Sequence, residues 1–511
     1  MPWPVDRRLM VAGAAFVALA VGVAAATVAS CDGSATGPPG AASPPAWTAG
    51  ADGSASPTPT ATAGPFRGWS DPAGVGRPYG SKVNGLLTFR GNPTRTFYGT
   101  GPVPRTTPAQ RWRFPRTGGL CSESTDDKGT RLWCGTGWTG QPAVFERGGR
   151  TWVVFGAYDR KIHFLDAATG ERILPDFPTG DIIKGSVTVD PDGFPLIYSG
   201  SRDNFYRVIA IDRGRPTELW RLSATAVSPT KWNDDWDGSG LVIDDYLFEG
   251  GENSQFHIVK LNRRYDRNGK VTVSPKLVFH APGWDARLLR DIGHSNVSIE
   301  NSVAVHGNVV YFANSGGLVQ GWDIGGLKQG RKPKRVFRFW TGDDTDASVV
   351  VDAAGALYVG SEYEKGSGRS AQVGQLMKLD PRRANPLVWS IHDRATTPAG
   401  AWGTPALHKD IAIFDTNGGD VLGVDRATGA VRWRFGLPGH VWQSPVVVDD
   451  VLLIGDCAGV LHAYDVADTT VPPKPLWTVT LGGCVESTPA VWRGTVYVGT
   501  RAGGVHAIAA R

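Results

Sequence analysis

The 511-residue sequence predicts an all-β fold: an eight-bladed β-propeller whose ring is closed by an N-terminal outer strand joining the C-terminal blade. Three observations carry this. Glycine (67) and tryptophan (19) are abundant and methionine (3) is scarce, which suits short strands and tight turns better than long helices. A strand-then-turn unit recurs eight times, anchored at Asp166, Asp212, Asn262, Asp323, Asp380, Asp425, Asp465 and Ala509. Those positions lie 40 to 61 residues apart by subtraction, the period of a four-stranded blade.

In chain order the first element is a targeting segment, residues 1–31. Arg7 and Arg8 precede an uncharged run over 9–30, a positive n-region followed by an apolar h-region. The run ends in "VASC", which resembles a lipobox and makes Cys31 the lipidation candidate. A run of roughly 20 apolar residues also suffices to span a membrane, so an uncleaved anchor is the second reading. Both tether the chain to the cell membrane and place its bulk outside the cytoplasm. Residues 32–65, with "PTPTATAGP", read as a disordered Ala/Ser/Thr/Pro linker. Residues 66–107 form an N-terminal lead-in, and 108–511 the propeller.

Each repeat carries three further strands. In one blade these are "SPVVVDD", "LLIGDCAG" and, after the Asp, an outer strand with Trp477. Trp220, Phe339 with Trp340, Trp389 and Trp433 hold the same outer position, while Ile173 and Phe279 depart from it. Such a tryptophan is expected to pack between blades and to need a partner for its N–H. The last repeat runs out at Arg511 without an outer strand. "QRWRF", 110–114, resembles the "RWRF" of 432–435 and is predicted to supply it, leaving no open edge.

Apart from Cys31, four cysteines remain, and four allow three pairings. Cys121 and Cys134 share the loop before the first blade. Cys457 lies in a second-to-third-strand turn, and Cys484 precedes the next inner strand. The placement predicts disulfides Cys121–Cys134 and Cys457–Cys484, as an oxidising compartment permits.

Inner strands begin at one mouth of a propeller, and the turns between second and third strands share that face. The positions opening the inner strands are assigned as Gln141, Lys184, Asp237, Glu300, Asp346, Trp402, Gln443 and Glu486. Asp235, Asn301, Asp344, His440 and Trp442 lie near them, and the turns add Asp159, Arg202, Glu252, Glu362, Asp415, Asp456 and Arg501. From these, Lys184, Asp237, Glu300, Asn301, Asp346, Trp402, Trp442, Gln443 and Glu486 are the ligand-binding candidates. Carboxylates from several blades suit a cation, a sugar or a cationic peptide. The plainer expectation is that hydrophilic loops ring a water-filled channel. "DDWDG", 234–238, is a weak calcium-loop match without the later glutamate, so no metal ligands are assigned. The net charge of +5 is small for the length and gives no reason to expect nucleic acid.

"GVDRATGAVRW" (423–433), "FLDAATGERI" (164–173) and "LLTFRGNPTRTFYG" (86–99) resemble the PQQ-like propeller family, named for the pyrroloquinoline quinone repeat. The resemblance spans roughly 86–511. It implies the propeller fold; the family includes dehydrogenases, assembly lipoproteins and extracellular binders. The expectation is an extracytoplasmic, membrane-tethered monomer that binds or scaffolds an envelope protein, a cell-wall component or a small ligand, with no catalytic residues and no cofactor. The alternative is a PQQ- and calcium-dependent dehydrogenase. For that, the resemblance implies an adjacent-cysteine ring against the quinone and a catalytic aspartate with a calcium-binding glutamate and asparagine, for instance Asp346 with Glu300 and Asn301. The cysteine pairs here are 13 and 27 residues apart by subtraction.

Overall fold

Every predicted repeat folds as a four-stranded antiparallel blade, the first and eighth sheets each carrying a fifth strand from the lead-in, and the eight succeed one another in sequence order in the computed structural model. It describes residues 66–511 apart from 127, 138–139 and 395–397. The targeting segment, the linker and Cys31 lie outside the described residues. No described helix is long and apolar enough to cross a membrane.

The blade with the "GVDRATGAVRW" unit shows why the repeat folds as it does. Its strands are Ala406–His408, Ile411–Asp415, Asp420–Asp425 and Val431–Gly436. The second is buried along its whole length. A blade is covered by neighbours on both faces, so its strands read as apolar runs instead of alternating. Asp425 Oδ1 accepts hydrogen bonds from the Ala427 and Thr428 amides at 2.9 and 2.8 Å and from Thr428 Oγ1 at 2.9 Å. Gly429 then turns with φ +80°.

That glycine has a second duty. A Cβ on it would stand 2.6 Å from Cγ of Trp389, the outer-strand tryptophan of the preceding blade. Trp389 Nε1 donates to Arg426 O of the same turn at 3.2 Å. The turn is therefore the seat on which the previous blade rests its indole, and the carbonyl satisfies the N–H.

Ring closure uses the same joint. Ala109–Phe114 pairs antiparallel with Gly504–Ala509, placing Trp112 opposite Ala507 across a bulge. Trp112 Nε1 donates to Ala167 O at 2.9 Å, and a Cβ on Gly170 would lie 2.7 Å from the indole. "QRWRF" thus docks the eighth blade onto the "DAATG" turn of the first.

Both predicted disulfides are present, Cys121–Cys134 and Cys457–Cys484. The first closes a β-hairpin, Cys121–Asp126 with Gly129–Cys134, in what reads from sequence as a loop.

The channel differs from the water-filled expectation. The lead-in runs into the axis and fills it. Gly85–Leu86 adds to the inner edge of the first blade, and Gly99–Thr100 lies parallel to the inner strand of the eighth. Between them the segment reaches every other blade. Val189 donates to Leu87 O at 2.7 Å, Val305 to Pro93 O at 2.8 Å and Val351 to Thr94 O at 3.1 Å. The Leu407 amide donates to Tyr98 Oη at 2.7 Å. Arg95 reaches Ser239 O at 2.7 Å, and Arg90 reaches Pro445 O at 2.8 Å.

Candidate functional site

One hydrogen bond recurs in all eight blades and sets the register of the mouth. A turn amide donates to the carbonyl two residues before the position that opens the inner strand. The pairs are Tyr158 to Gly135, Arg202 to Ile182, Glu252 to Asp235, Ser315 to Ser298, Glu362 to Asp344, Asn417 to Gly400, Cys457 to His440 and Arg501 to Cys484, at 2.7 to 3.0 Å. The opening positions two residues on are therefore Gly137, Lys184, Asp237, Glu300, Asp346, Trp402, Trp442 and Glu486. Six of the eight sequence assignments coincide. Gln141 and Gln443 instead sit deeper, where their amides bridge backbone: Gln443 Nε2 donates to Ser487 O at 2.7 Å and its Oε1 accepts from Gly455 at 2.6 Å. Asn301 is likewise engaged, donating to Thr345 O at 3.0 Å and accepting from Ala313 at 3.1 Å.

The register explains which side chains meet. The turn of one blade faces the mouth residue of the next, so Arg202 reaches Asp235 at 2.6 Å. The Cys457–Cys484 disulfide is the same junction made covalent.

Two acidic clusters result: Asp235, Asp237 and Glu252, and Asp344, Asp346 and Glu362. Within each, carboxylate oxygens lie within 4.8 Å of one another. The Lys184 ammonium fills the first, 2.5 Å from Asp237, 2.9 Å from Glu252 and 3.5 Å from Asp235. Burial pulls this ammonium down, but the carboxylates outweigh it and hold its pKa well above the usual lysine value. The "DDWDG" stretch thus carries a salt-bridged lysine where its sequence weakly suggested calcium. Burial, with Glu252 beside it, lifts Asp235 to about 6.

The second cluster is held differently. Lys365 reaches Asp344 at 3.0 Å. Trp402 Nε1 donates to Asp346 at 2.9 Å, and Asn417 donates to Glu362 at 3.1 Å. Ser315 Oγ joins Glu300 at 3.1 Å to Asp346 at 3.4 Å. Burial first, then the mutual repulsion of the carboxylates, raises Asp346 and Glu362 well above the ordinary range.

Beside it stands an aromatic wall. Trp402 and Trp442 meet edge to face with centroids 5.4 Å apart, and His440 lies parallel to Trp442. On the opposite side the disulfide hairpin leans in through Trp133, whose ring carries Arg131, Arg202 and Arg501 at 4.5 to 5.2 Å. Glu486 lies 3.9 Å from Arg501.

The plug makes the floor. Arg90 and Arg95 are fully buried. Arg90 donates to Pro445 O and Pro405 O at 2.8 and 2.7 Å, and Arg95 to Val303 O, Ser239 O and Phe89 O at 2.6 to 2.7 Å. Asp415 and Glu249 are acidic groups that act electrostatically on Arg90 and Arg95, and burial raises both carboxyls, Glu249 to about 8. Asp415, assigned from sequence to a turn on the mouth, ends the strand Ile411–Asp415 of the sixth blade and is wholly buried, acting electrostatically on Arg90 of the plug. Sequence inspection missed Lys365, Ser315 and both arginines as site-builders. "RGNPTR" was the available signal for the arginines, since it puts two cations in an otherwise neutral turn.

Residues 284–435 and 417–511 match the family model PQQ_2, described as outer membrane protein assembly factor BamB. The PQQ-like reading of the repeats stands there. Among solved structures, the chain is similar to a europium-containing methanol dehydrogenase at 12% identity, covering 81% of this chain and 89% of that one with TM-score 0.54. It is similar to the computationally designed Ika8 protein at 16% identity, covering 72% and 95% with TM-score 0.51. It is also similar to Sqt1 of Saccharomyces cerevisiae at 11% identity, covering 70% and 93% with TM-score 0.51. These likenesses are of fold. No curated protein matches the chain in sequence. The two disulfides fit a non-cytoplasmic location.

Proposed function

We propose that the chain is a membrane-tethered, extracytoplasmic propeller that works without catalysis, offering its mouth as a binding or scaffold surface to an envelope protein, a cell-wall component or a small ligand. The observation that carries this is the plug. With the axis filled by residues 85–100, the mouth is a shallow cup with a solid floor. A cup of this kind recognises by complementarity: carboxylates on one side, an indole pair beside them. Trp402 and Trp442 stay partly open at its rim. Such rings above carboxylates favour basic groups, which gain both charge pairing and cation–π contact.

The dehydrogenase reading has less support in this chain. Its cysteines form two pairs between non-adjacent residues, so the adjacent-cysteine platform implied by the resemblance cannot be built from them. Asn301, one of the two residues suggested for calcium, spends its amide on backbone.

The test is capture from envelope extracts with wild-type protein and with Trp442→Ala. A specific partner retained by the wild type and lost by the variant is the expected result. Dye-linked alcohol oxidation above background after loading with PQQ and calcium would overturn the non-enzymatic reading.

A further inference from the structure

The two acidic clusters of the mouth are the same construction used twice. Asp235, Asp237 and Glu252 occupy in the third blade the positions of Asp344, Asp346 and Glu362 in the fifth. In both, the glutamate amide donates to the first aspartate carbonyl, at 3.0 and 2.8 Å. In both, one basic side chain holds that first aspartate: Arg202 at 2.6 Å, Lys365 at 3.0 Å.

They differ at one place. The residue opening the preceding blade is Lys184 for the first cluster, and its ammonium sits among all three carboxylates. For the second cluster that residue is Glu300. A fourth carboxylate stands where the first cluster has its cation. Among the described residues, no basic nitrogen comes within 4.0 Å of Asp346, Glu362 or Glu300. Asp344 is 7% exposed, and its buried Oδ1 has no hydrogen-bond partner. That carboxyl lies beside Asp346, within 4.8 Å of it in the same cluster.

We propose that Asp344, Asp346, Glu362 and Glu300 hold a divalent hard cation of the calcium class, which does for the fifth blade what the Lys184 ammonium does for the third. The donor set is all oxygen, as such a cation requires. Oxygens of Asp344, Asp346 and Glu362 at most 4.8 Å apart fit around one ion, because two calcium–oxygen bonds of about 2.4 Å span that distance, and Glu300 adjoins them through Ser315 Oγ, which reaches both Glu300 and Asp346. Ser315 and Trp402 hold Glu300 and Asp346 in place from behind. The site goes beyond the binding role above: a chain that captures no partner still binds the cation, and the reverse.

The experiment uses calcium and, as a luminescent stand-in, terbium, with no quinone added. Trp402 Nε1 touches Asp346, so indole excitation sensitises bound terbium. Wild type is expected to give terbium luminescence displaced by calcium, and a melting temperature that rises and saturates by millimolar calcium, the range of extracellular sites at roughly 0.1–1 mM. Glu362→Gln is expected to weaken binding about tenfold or more. Glu300→Lys recreates the arrangement of the third blade. It is expected to abolish both signals while leaving the calcium-free protein folded and at least as heat-stable as wild type. A wild type with neither luminescence nor a calcium shift would overturn the proposal, because protons would then satisfy the cluster. So would signals that survive in both Glu300→Lys and Glu362→Gln.

Discussion

A single glycine and a single tryptophan form the joint between blades. Gly170 and Gly429 accept the indoles of Trp112 and Trp389, and a carbonyl one residue after the Asp takes each N–H. Both kinds of partner are visible in "DxxTGxxxW", because the pattern repeats: the turn of one copy seats the tryptophan of the preceding blade's outer strand. Other residues were silent in sequence. His163 is wholly buried with Asp159 3.0 Å from Nε2 and Asp176 3.0 Å from Nδ1. Burial pulls its pKa down, but the two carboxylates prevail and raise it above the ordinary value. Lys161 and Arg172 pair with the same carboxylates, and the Phe114 and Phe155 rings pack on the imidazole. Because the folded value is the higher one, the stabilisation is complete below the unfolded pKa of about 6.5 and fades as pH rises through the folded one. Thermal melts of wild type and His163→Gln should therefore differ most in mildly acidic buffer and converge in alkaline buffer. A gap that widened with pH would contradict this.

At the scale of elements, the closing strand is the test case. Ala109–Phe114 was recognisable because it repeats the pattern of Val431–Gly436. It pairs with a strand almost 400 residues away, the Arg113–His506 register being one of its links. Trp112 is 8% exposed and touches Tyr497 of its own blade as well as the first-blade turn. Trp112→Ala should cost about 3–5 kcal/mol, as for large buried aromatics, read as a fall in the urea midpoint. An unchanged midpoint would mean the ring does not depend on this strand. The disulfide hairpin was less legible. "CSESTD" and "GTRLWC" are polar, because the hairpin leans over the mouth with one face in water and lacks the apolar signature of a blade strand.

For the whole molecule, the plug decides what kind of site exists. Arg95 makes bonds to the third and fourth blades and to its own segment, and Arg90 bonds the sixth and seventh. Burial lowers the pKa of both guanidiniums, Arg95 to about 10, with Tyr79 and Glu249 opposing the fall. Removing such a group strands several buried carbonyls at once. Arg95→Met should therefore lose about 3 kcal/mol or more in equilibrium unfolding, and an exposed-site arginine, Arg111, changed the same way should lose almost nothing.

The sequence by itself determined the blades, their number, their closing strand and their disulfides. Those features depend on patterns repeated every forty to sixty residues, and local hydrogen bonding and strand burial enforce each copy. It also placed six of the eight mouth positions. Only the tertiary structure decided that the lead-in fills the axis, because that segment has no periodicity and its arginines bond carbonyls more than 140 residues away. Only the tertiary structure showed that Lys184 closes one acidic cluster while Glu300 opens its twin. Charges on separate blades acquire partners when the ring brings them within a few ångströms, and in a buried mouth that proximity sets which cluster supplies its own cation and which must take one from solution.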